Sequence, residues 1–281
     1  MSDILVFGSN GQLGFEICAQ AAADGVDRLT CDTTDHDALR TILYARRPKI
    51  VFNCTAYNGV DKAEEEIDAA IRINGIAPGV MARYCREIGA RFVHFSTDYV
   101  FGDGHKSPID ESYSPEPLSA YARSKRMGEE AVMHNHPDAV VVRTTGLYSD
   151  RRHNFVHTML KYGRERGELT VVADQHISPT WVKPLAKTAL KLARHDFGGI
   201  VHAVSHGGVT WHAFAQRIFE LSNVEVKLHA TTQAEWGAAA RRPFYSVLDN
   251  AVLRGLGIDD FEPWDFMLEN FLRVNVEESV L

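Results

Sequence analysis

Three observations predict an α/β protein built on a Rossmann-type doubly wound parallel sheet with a smaller C-terminal substrate-binding lobe. Short apolar runs alternate with helix-favouring stretches through the first half of the chain, a pattern that implies right-handed crossovers and a parallel sheet. A glycine-rich turn at residues 8–14 separates the first run from the first helical stretch, where a dinucleotide-binding turn belongs. A long loop rich in Gly, Pro, Ser and Asp spans residues 97–119, at the carboxyl end of a strand, where parallel sheets carry their sites.

In order, residues 4–7 read as a strand and 12–23 as a helix. A brief strand at 29–31, a helix at 36–46 and a strand at 50–53 follow. Residues 64–88 read as helical with a break near Pro78, and 91–96 as a strand ending in the long loop. A helix over 120–135, a buried strand over 139–144 and a helix over 155–166 continue the alternation. Beyond them, strands at 170–173 and 200–204 flank a helix at 182–195, and helices at 210–222 and 264–273 belong to the second lobe. The expected division is a dinucleotide-binding domain at 1–145 and a substrate lobe at 146–281, with segments near 170–204 returning to the sheet.

Composition narrows the class. The 281 residues are 45% hydrophobic, enough for a sizeable core, and no apolar run approaches the roughly 20 residues that span a bilayer. Asp3 stands in a segment that runs straight into a strand, leaving no room for a signal peptide. A cytoplasmic protein with no membrane partner is expected. Cys18, Cys31, Cys54 and Cys85 include no Cys-x-x-Cys pair and read as core residues, not as a disulfide or zinc framework. A net charge of −7 disfavours nucleic acid, whose binding depends on a basic surface.

In the glycine turn, Gly8, Asn10, Gly11, Gln12, Leu13 and Gly14 are the candidate cofactor residues. Glycine permits positive φ and close approach of backbone amides to a pyrophosphate, and the helix start adds favourable partial charge. The spacing Gly-x-x-Gly-x-x-Gly departs from Gly-x-Gly-x-x-Gly and resembles the variant of extended short-chain dehydrogenase/reductases. Asp32, eighteen residues after Gly14, stands near the place of the acid that grips the adenosine ribose, although Asp32 to Asp35 also resembles an adenine-side segment that comes later. No arginine follows Asp32 to take a 2′-phosphate, which tilts the choice between NADH and NADPH towards the former.

The catalytic candidates are Thr97, Tyr121 and Lys125. A free tyrosine has a pKa near 10, and a lysine one helical turn away favours phenolate. Lowering that pKa to about 7 takes some 4 kcal/mol, shared among Lys125, the oxidised nicotinamide and exclusion of water. Tyr121 then exchanges the proton as hydride moves, Lys125 also holds the nicotinamide ribose, and Thr97 binds the reacting oxygen. Alone the Tyr-x-x-x-Lys pair is a weak motif; the glycine turn and Thr97 give it weight.

Residues 52–64, Phe-Asn-Cys-Thr-Ala-Tyr-Asn-Gly-Val-Asp-Lys-Ala-Glu, and 96–101, Ser-Thr-Asp-Tyr-Val-Phe, resemble segments of the dTDP-4-dehydrorhamnose reductase family. The resemblance continues through Tyr121 and Lys125, Arg143-Thr144, Asn154-Phe155, Asp174-Gln175, Pro179-Thr180 and residues 240–243. It implies an extended short-chain reductase that delivers hydride from NADH or NADPH to C4 of a nucleotide-linked 4-keto-6-deoxyhexose. It also implies that Asn53 and Ala56 contact the cofactor, and that Thr97, Asp98, Val100, Phe101, Gly146, Asn154, Arg241 and Arg242 contact the nucleotide sugar, the two arginines at its diphosphate. Gly146 replaces a tryptophan of the family's sugar pocket and Ile177 a loop glycine, so a different sugar or stereochemical outcome is expected. A homodimer is compatible with the resemblance. Some members hold magnesium at a dimer contact that Glu16 would match, but no metal is expected here. A related epimerase or dehydratase, and a non-catalytic cofactor-binding subunit, are the competing readings.

Overall fold

The computed structural model describes residues 2–278. In chain order the first half runs β1 (Ile4–Phe7), α1 (Gln12–Ala21), β2 (Asp24–Val26), α2 (His36–Arg46), β3 (Ile50–Asn53), α3 (Ile67–Ala70), α4 (Ala77–Glu87), β4 (Arg91–Thr97), α5 (Ala120–Asn135) and β5 (Val140–Thr144). The second half adds β6 (Leu147–Tyr148), α6 (Phe155–Arg166), β7 (Glu168–Val172), β8 (His176–Ile177), β9 (Thr180–Trp181) and α7 (Val182–Ala193). It ends with β10 (Gly199–His202), β11 (Val209–Thr210), α8 (Trp211–Leu221), β12 (Lys227–Thr231), α9 (Gln233–Trp236), α10 (Ala251–Gly255) and α11 (Trp264–Glu278).

Six strands form one parallel sheet in the order β2-β1-β3-β4-β5-β10. Apart from the edge strand β2, its strands are largely apolar runs, as sheets covered on both faces require. On one face α1 and α7 cover Val6, Phe52, Val93 and Val142; on the other α2, α4 and α5 cover Leu5, Val51, Phe92 and Val141. The alternation of side chains along each strand sorts these residues between the two layers. β1 leads to β2 on one side while the adjacent β3 leads to β4 on the other, so a crevice opens beyond the carboxyl ends of β1 and β3.

The second strand falls earlier than the sequence suggests. Ala22, at φ 48°, closes α1 by bonding to Cys18 O, and β2 pairs Leu5 with Asp24 and Phe7 with Val26. Leu29, whose apolar character suggests a strand at 29–31, is 97% exposed. Only Val26 of β2 is buried, so the strand has almost no hydrophobic signature. A Cβ on Gly25 would lie 2.6 Å from Ser9 Cβ, so this strand must also be bare to let the glycine turn pack.

Pro78 does not break its helix. A π-helical segment, Ile71–Ile76, joins α3 to α4, and Pro78 sits in the first turn of α4, where a missing N–H is tolerated. Proline cannot answer the Asn74 carbonyl four residues earlier, and Gly128 of α5 packs against that oxygen: a Cβ there would approach to 2.1 Å.

Of the segments expected to return to the sheet, β10 does so, pairing with β5. β7 does not; it pairs in parallel with β12, because both belong to a separate core of Tyr148, Val156, Phe214, Ile218, Leu268 and Phe271 under α6, α8 and α11. No helix among the described residues is long and apolar enough to cross a membrane.

Candidate active site

The glycine turn makes a cradle that side chains would fill. Gly8 has φ 79°, and a Cβ on it would lie 2.8 Å from the Cys54 carbonyl carbon; one on Gly14 would lie 2.3 Å from Gly8 O. Gly8 N–H donates to Val26 O at 2.8 Å and Gly11 N–H to Gly8 O at 2.9 Å, fixing the turn against β2 and β3. Gly11 begins α1 with no side-chain cap and no acid in the first turn, so the helix start keeps its amides and positive partial charge for an anion. These features fit a dinucleotide diphosphate. Leu13 is a core residue, Asn10 donates to Asp27 Oδ2 at 2.8 Å, and the Gln12 side chain meets Ser149 at 2.7 Å.

Asp32 is not the acid at the end of β2. It closes a turn, accepting from Thr34 N–H at 2.9 Å and Thr34 Oγ1 at 2.7 Å, which holds its carboxyl below the usual range. Asp27 follows β2 directly and is held down in the same way by Thr30. The next residue is Arg28, paired only at the surface with Asp32 at 3.4 Å. An arginine therefore does follow the acid at the end of β2, although none follows Asp32.

Asn53 ends β3 with its side chain turned inwards, 3.1 Å from His94 Nδ1 and accepting from Thr55 N–H and Oγ1. It shapes the loop that carries Ala56 beside the cradle. Asn74, fully buried in the π-helical segment, accepts from Tyr57 N–H at 2.8 Å and donates to Ser124 Oγ of α5 at 3.0 Å, joining that loop to the catalytic helix. π-Helical turns recur at such positions.

Thr97 ends β4, and Tyr121 and Lys125 sit one turn apart on α5, whose Ser119 cap accepts from Ala122 N–H at 3.2 Å. Tyr121 is 8% and Lys125 2% exposed. Burial, then the Asp98 carboxylate, push the Tyr121 phenol up to about 12, against a hydrogen-bond contact with Thr97. Burial pulls the Lys125 ammonium down to about 8, with Glu129 acting the other way. Lys125 donates to Phe95 O at 2.6 Å and is not among the groups that shift Tyr121. The expectation that Lys125 lowers Tyr121 towards neutrality is not met here. Desolvation outweighs it, and the phenol is held in its proton-bearing form.

Asp98 lies beneath Thr97 and does not reach the cleft. It accepts from Thr97 Oγ1 at 3.1 Å and from Ser246 Oγ, and burial pushes it up to about 6 despite those bonds and one from Thr145. Val100 and Phe101 are also misplaced as sugar contacts; they pack with Ile109, Val204 and Leu248 in a small core, because a 3-10 turn after Thr97 folds them inwards. Asn154 caps α6, accepting from His157 N–H at 3.1 Å and donating to Ser149 O at 2.8 Å. Gly146, at φ 57°, lies against Ile177 and Pro179: a Cβ would meet Ile177 Cδ1 at 3.0 Å. The two residues that depart from the family pattern therefore touch each other.

A cleft of about 1030 Å³ opens beside this centre. Tyr99, edge-on to Tyr121 at 6.2 Å, forms its inner end, and Phe155, Trp211, Trp236 and Phe244 add aromatic walls. Arg241 and Arg242 line it, each already paired: Arg241 with Asp103 at 2.6 Å and Arg242 with both oxygens of Asp61 at 3.0 and 2.8 Å. Asp61 and Asp103 escape a sequence reading because their partners lie more than 130 residues away. Among the described residues no cluster of three potential metal ligands occurs, and Glu16 accepts from Gln20 Nε2.

The parallel sheet, the glycine cradle and the Thr97-Tyr121-Lys125 arrangement define a short-chain dehydrogenase/reductase of the extended type. The chain belongs to the RmlD substrate binding domain family, whose model matches residues 1–276. It is 39% identical over 270 residues to a probable dTDP-4,6-dihydroxy-2-methyloxan-3-one 4-ketoreductase of Streptomyces antibioticus, covering 92% of this chain and 91% of that relative. With a dTDP-4-dehydrorhamnose reductase of Streptomyces griseus it shares 36% identity over 272 residues, 92% and 90% of the two chains. The crystal structure of dTDP-4-dehydrorhamnose reductase from Bacillus anthracis in complex with NADP superposes with a TM-score of 0.94 at 36% identity, covering 97% of this chain and 99% of that one.

Proposed function

We propose that the protein reduces the C4 keto group of a nucleotide-linked 4-keto-6-deoxyhexose, and that it works in the cytoplasm. The observation that carries the reading is the buried Thr97-Tyr121-Lys125 set standing between the glycine cradle and a cleft large enough for a nucleotide sugar. Reduced nicotinamide, when bound, supplies the hydride. Tyr121, kept protonated by burial, gives its proton to the oxygen that becomes the hydroxyl, and Thr97 orients that oxygen. Lys125 brings positive charge to the same buried space, where charge counts for more than in water. The four free cysteines suit a reducing compartment.

NADPH is the favoured cofactor in this reading. Arg28, following Asp27 at the end of β2, is exposed and lightly held, so its guanidinium is free to turn to a 2′-phosphate. Gly146 offers no side chain where the family resemblance places a tryptophan, and the adjoining Ile177 is buried outside the cleft wall; the missing aromatic wall favours a sugar other than the usual rhamnose precursor. Initial rates with a panel of nucleotide 4-keto-6-deoxyhexoses test both points. Stoichiometric consumption of reduced nicotinamide is expected; highest efficiency on dTDP-4-keto-L-rhamnose would refute the altered specificity, and no turnover of any such sugar would refute the reductase.

A further inference from the structure

Residues 149–154 lie as a strap against the glycine turn. The Ser149 and Gln12 side chains meet at 2.7 Å, Arg152 Nε donates to Asn10 O at 2.6 Å, and the Arg151 guanidinium lies 3.4 Å from the centre of the Phe15 ring on α1. The strap is set from within by Asn154, whose Nδ2 bonds Ser149 O at 2.8 Å and Arg152 O at 3.3 Å. Arg152 holds φ 62°, a left-handed backbone uncommon for a residue with a long side chain.

We propose that Arg151 and Arg152 form a cationic clamp over the diphosphate of the bound dinucleotide, the part that NADH and NADPH share. Neither guanidinium has a carboxylate partner among the described residues, whereas Arg28, Arg241 and Arg242 are each ion-paired. Arg152 spends one N–H on Asn10 O and keeps the rest of its fork; Arg151, laid over Phe15, makes no side-chain hydrogen bond among the described residues. Both charges stand beside the start of α1, which has no side-chain cap and no acid in its first turn. A doubly charged group with forked oxygens is the ligand that such donors match, and a guanidinium fork suits phosphate better than a point charge. The inference rests on nicotinamide binding, not on which sugar is reduced.

Equilibrium binding of NADH and of NADPH to the full chain, measured by titration calorimetry at several salt concentrations, tests the clamp. Arg152→Gln should weaken both cofactors by about tenfold, Arg151→Gln by less, with a shallower salt dependence. Arg152→Lys should recover part of the loss. Arg28→Gln provides the contrast and should weaken NADPH alone. Unchanged affinities in a folded Arg151→Gln/Arg152→Gln protein would overturn the clamp, as would a loss confined to NADPH, which would move these arginines to the 2′-phosphate. Failure of the unaltered protein to bind either cofactor would instead overturn the dinucleotide assignment itself.

Discussion

At the scale of single residues, protonation decides what the centre can do. Tyr121 must carry its proton to act as the donor in a reduction, and burial with the neighbouring Asp98 keeps it bound up to about pH 12. Lys125 is the weaker point, because burial lowers it to about 8. A lysine is charged below its pKa, so kcat/KM for reduction should fall as pH rises through about 8. Lys125→Arg, charged at every accessible pH, should remove that limb even if it lowers the plateau. A pH profile flat to 10 in the unaltered protein would show that the Lys125 charge is not used. Asp98 raises Tyr121 by its charge, so Asp98→Asn should lower the phenol's pKa, read from phenolate absorbance against the Tyr121→Phe protein; an unmoved titration would contradict the coupling. The placement of Thr97 at a strand end and of Tyr121 and Lys125 one turn apart on a helix was legible in the sequence, because helical spacing and strand ends place side chains predictably. Their pKa values were not, since desolvation depends on what the rest of the chain packs around them.

At the scale of elements, close approaches fix the frame around those residues. Gly128 touches the Asn74 carbonyl freed by Pro78, and a methyl group there has backbone, not a flexible side chain, 2.1 Å away. Gly128→Ala should cost about 1–3 kcal/mol, measured by denaturant unfolding; a neutral result would mean that α4 and α5 separate easily. The segment carrying Arg241 and Arg242 is tied across the cleft, with Ala240 N–H and the Nη1 and Nη2 groups of Arg242 on Asp61. Asp61→Asn and Arg242→Gln should each raise KM for the nucleotide sugar, and the double variant should be little worse than the poorer single one; additive losses would show independent roles. Most helices of the sheet domain could be read from periodicity and capping residues. β2 could not, since Asp24-Gly25-Val26 has only one apolar side chain and gains its place from pairing with β1. The short inward turn that buries Val100 and Phe101 was equally silent, because a family motif marks residues as constrained without saying which way they face.

At the scale of the whole molecule, two cores meet along one cleft. The sheet with its helices holds the glycine cradle and Tyr121, and the packing of α6, α8 and α11 builds an aromatic-walled pocket beside them. The order β2-β1-β3 opens the crevice at the cradle, and the loop after β4 leads from it to Tyr99 and the pocket. On the proposed function, the hydride acceptor would lie at Thr97 and Tyr121, with the nucleotide running outwards past Tyr99. The loosening of the strand-helix alternation in the second half was visible in the sequence, but the parallel pairing of β7 with β12 depends on contacts some 60 residues apart. The most direct measurement is to supply reduced nicotinamide carrying deuterium at the transferred position with a nucleotide 4-keto-6-deoxyhexose, and to locate the label by NMR. Deuterium at sugar C4, formed one for one with oxidised cofactor and lost in Tyr121→Phe, is the predicted result; label absent from C4 while the sugar is consumed would contradict it.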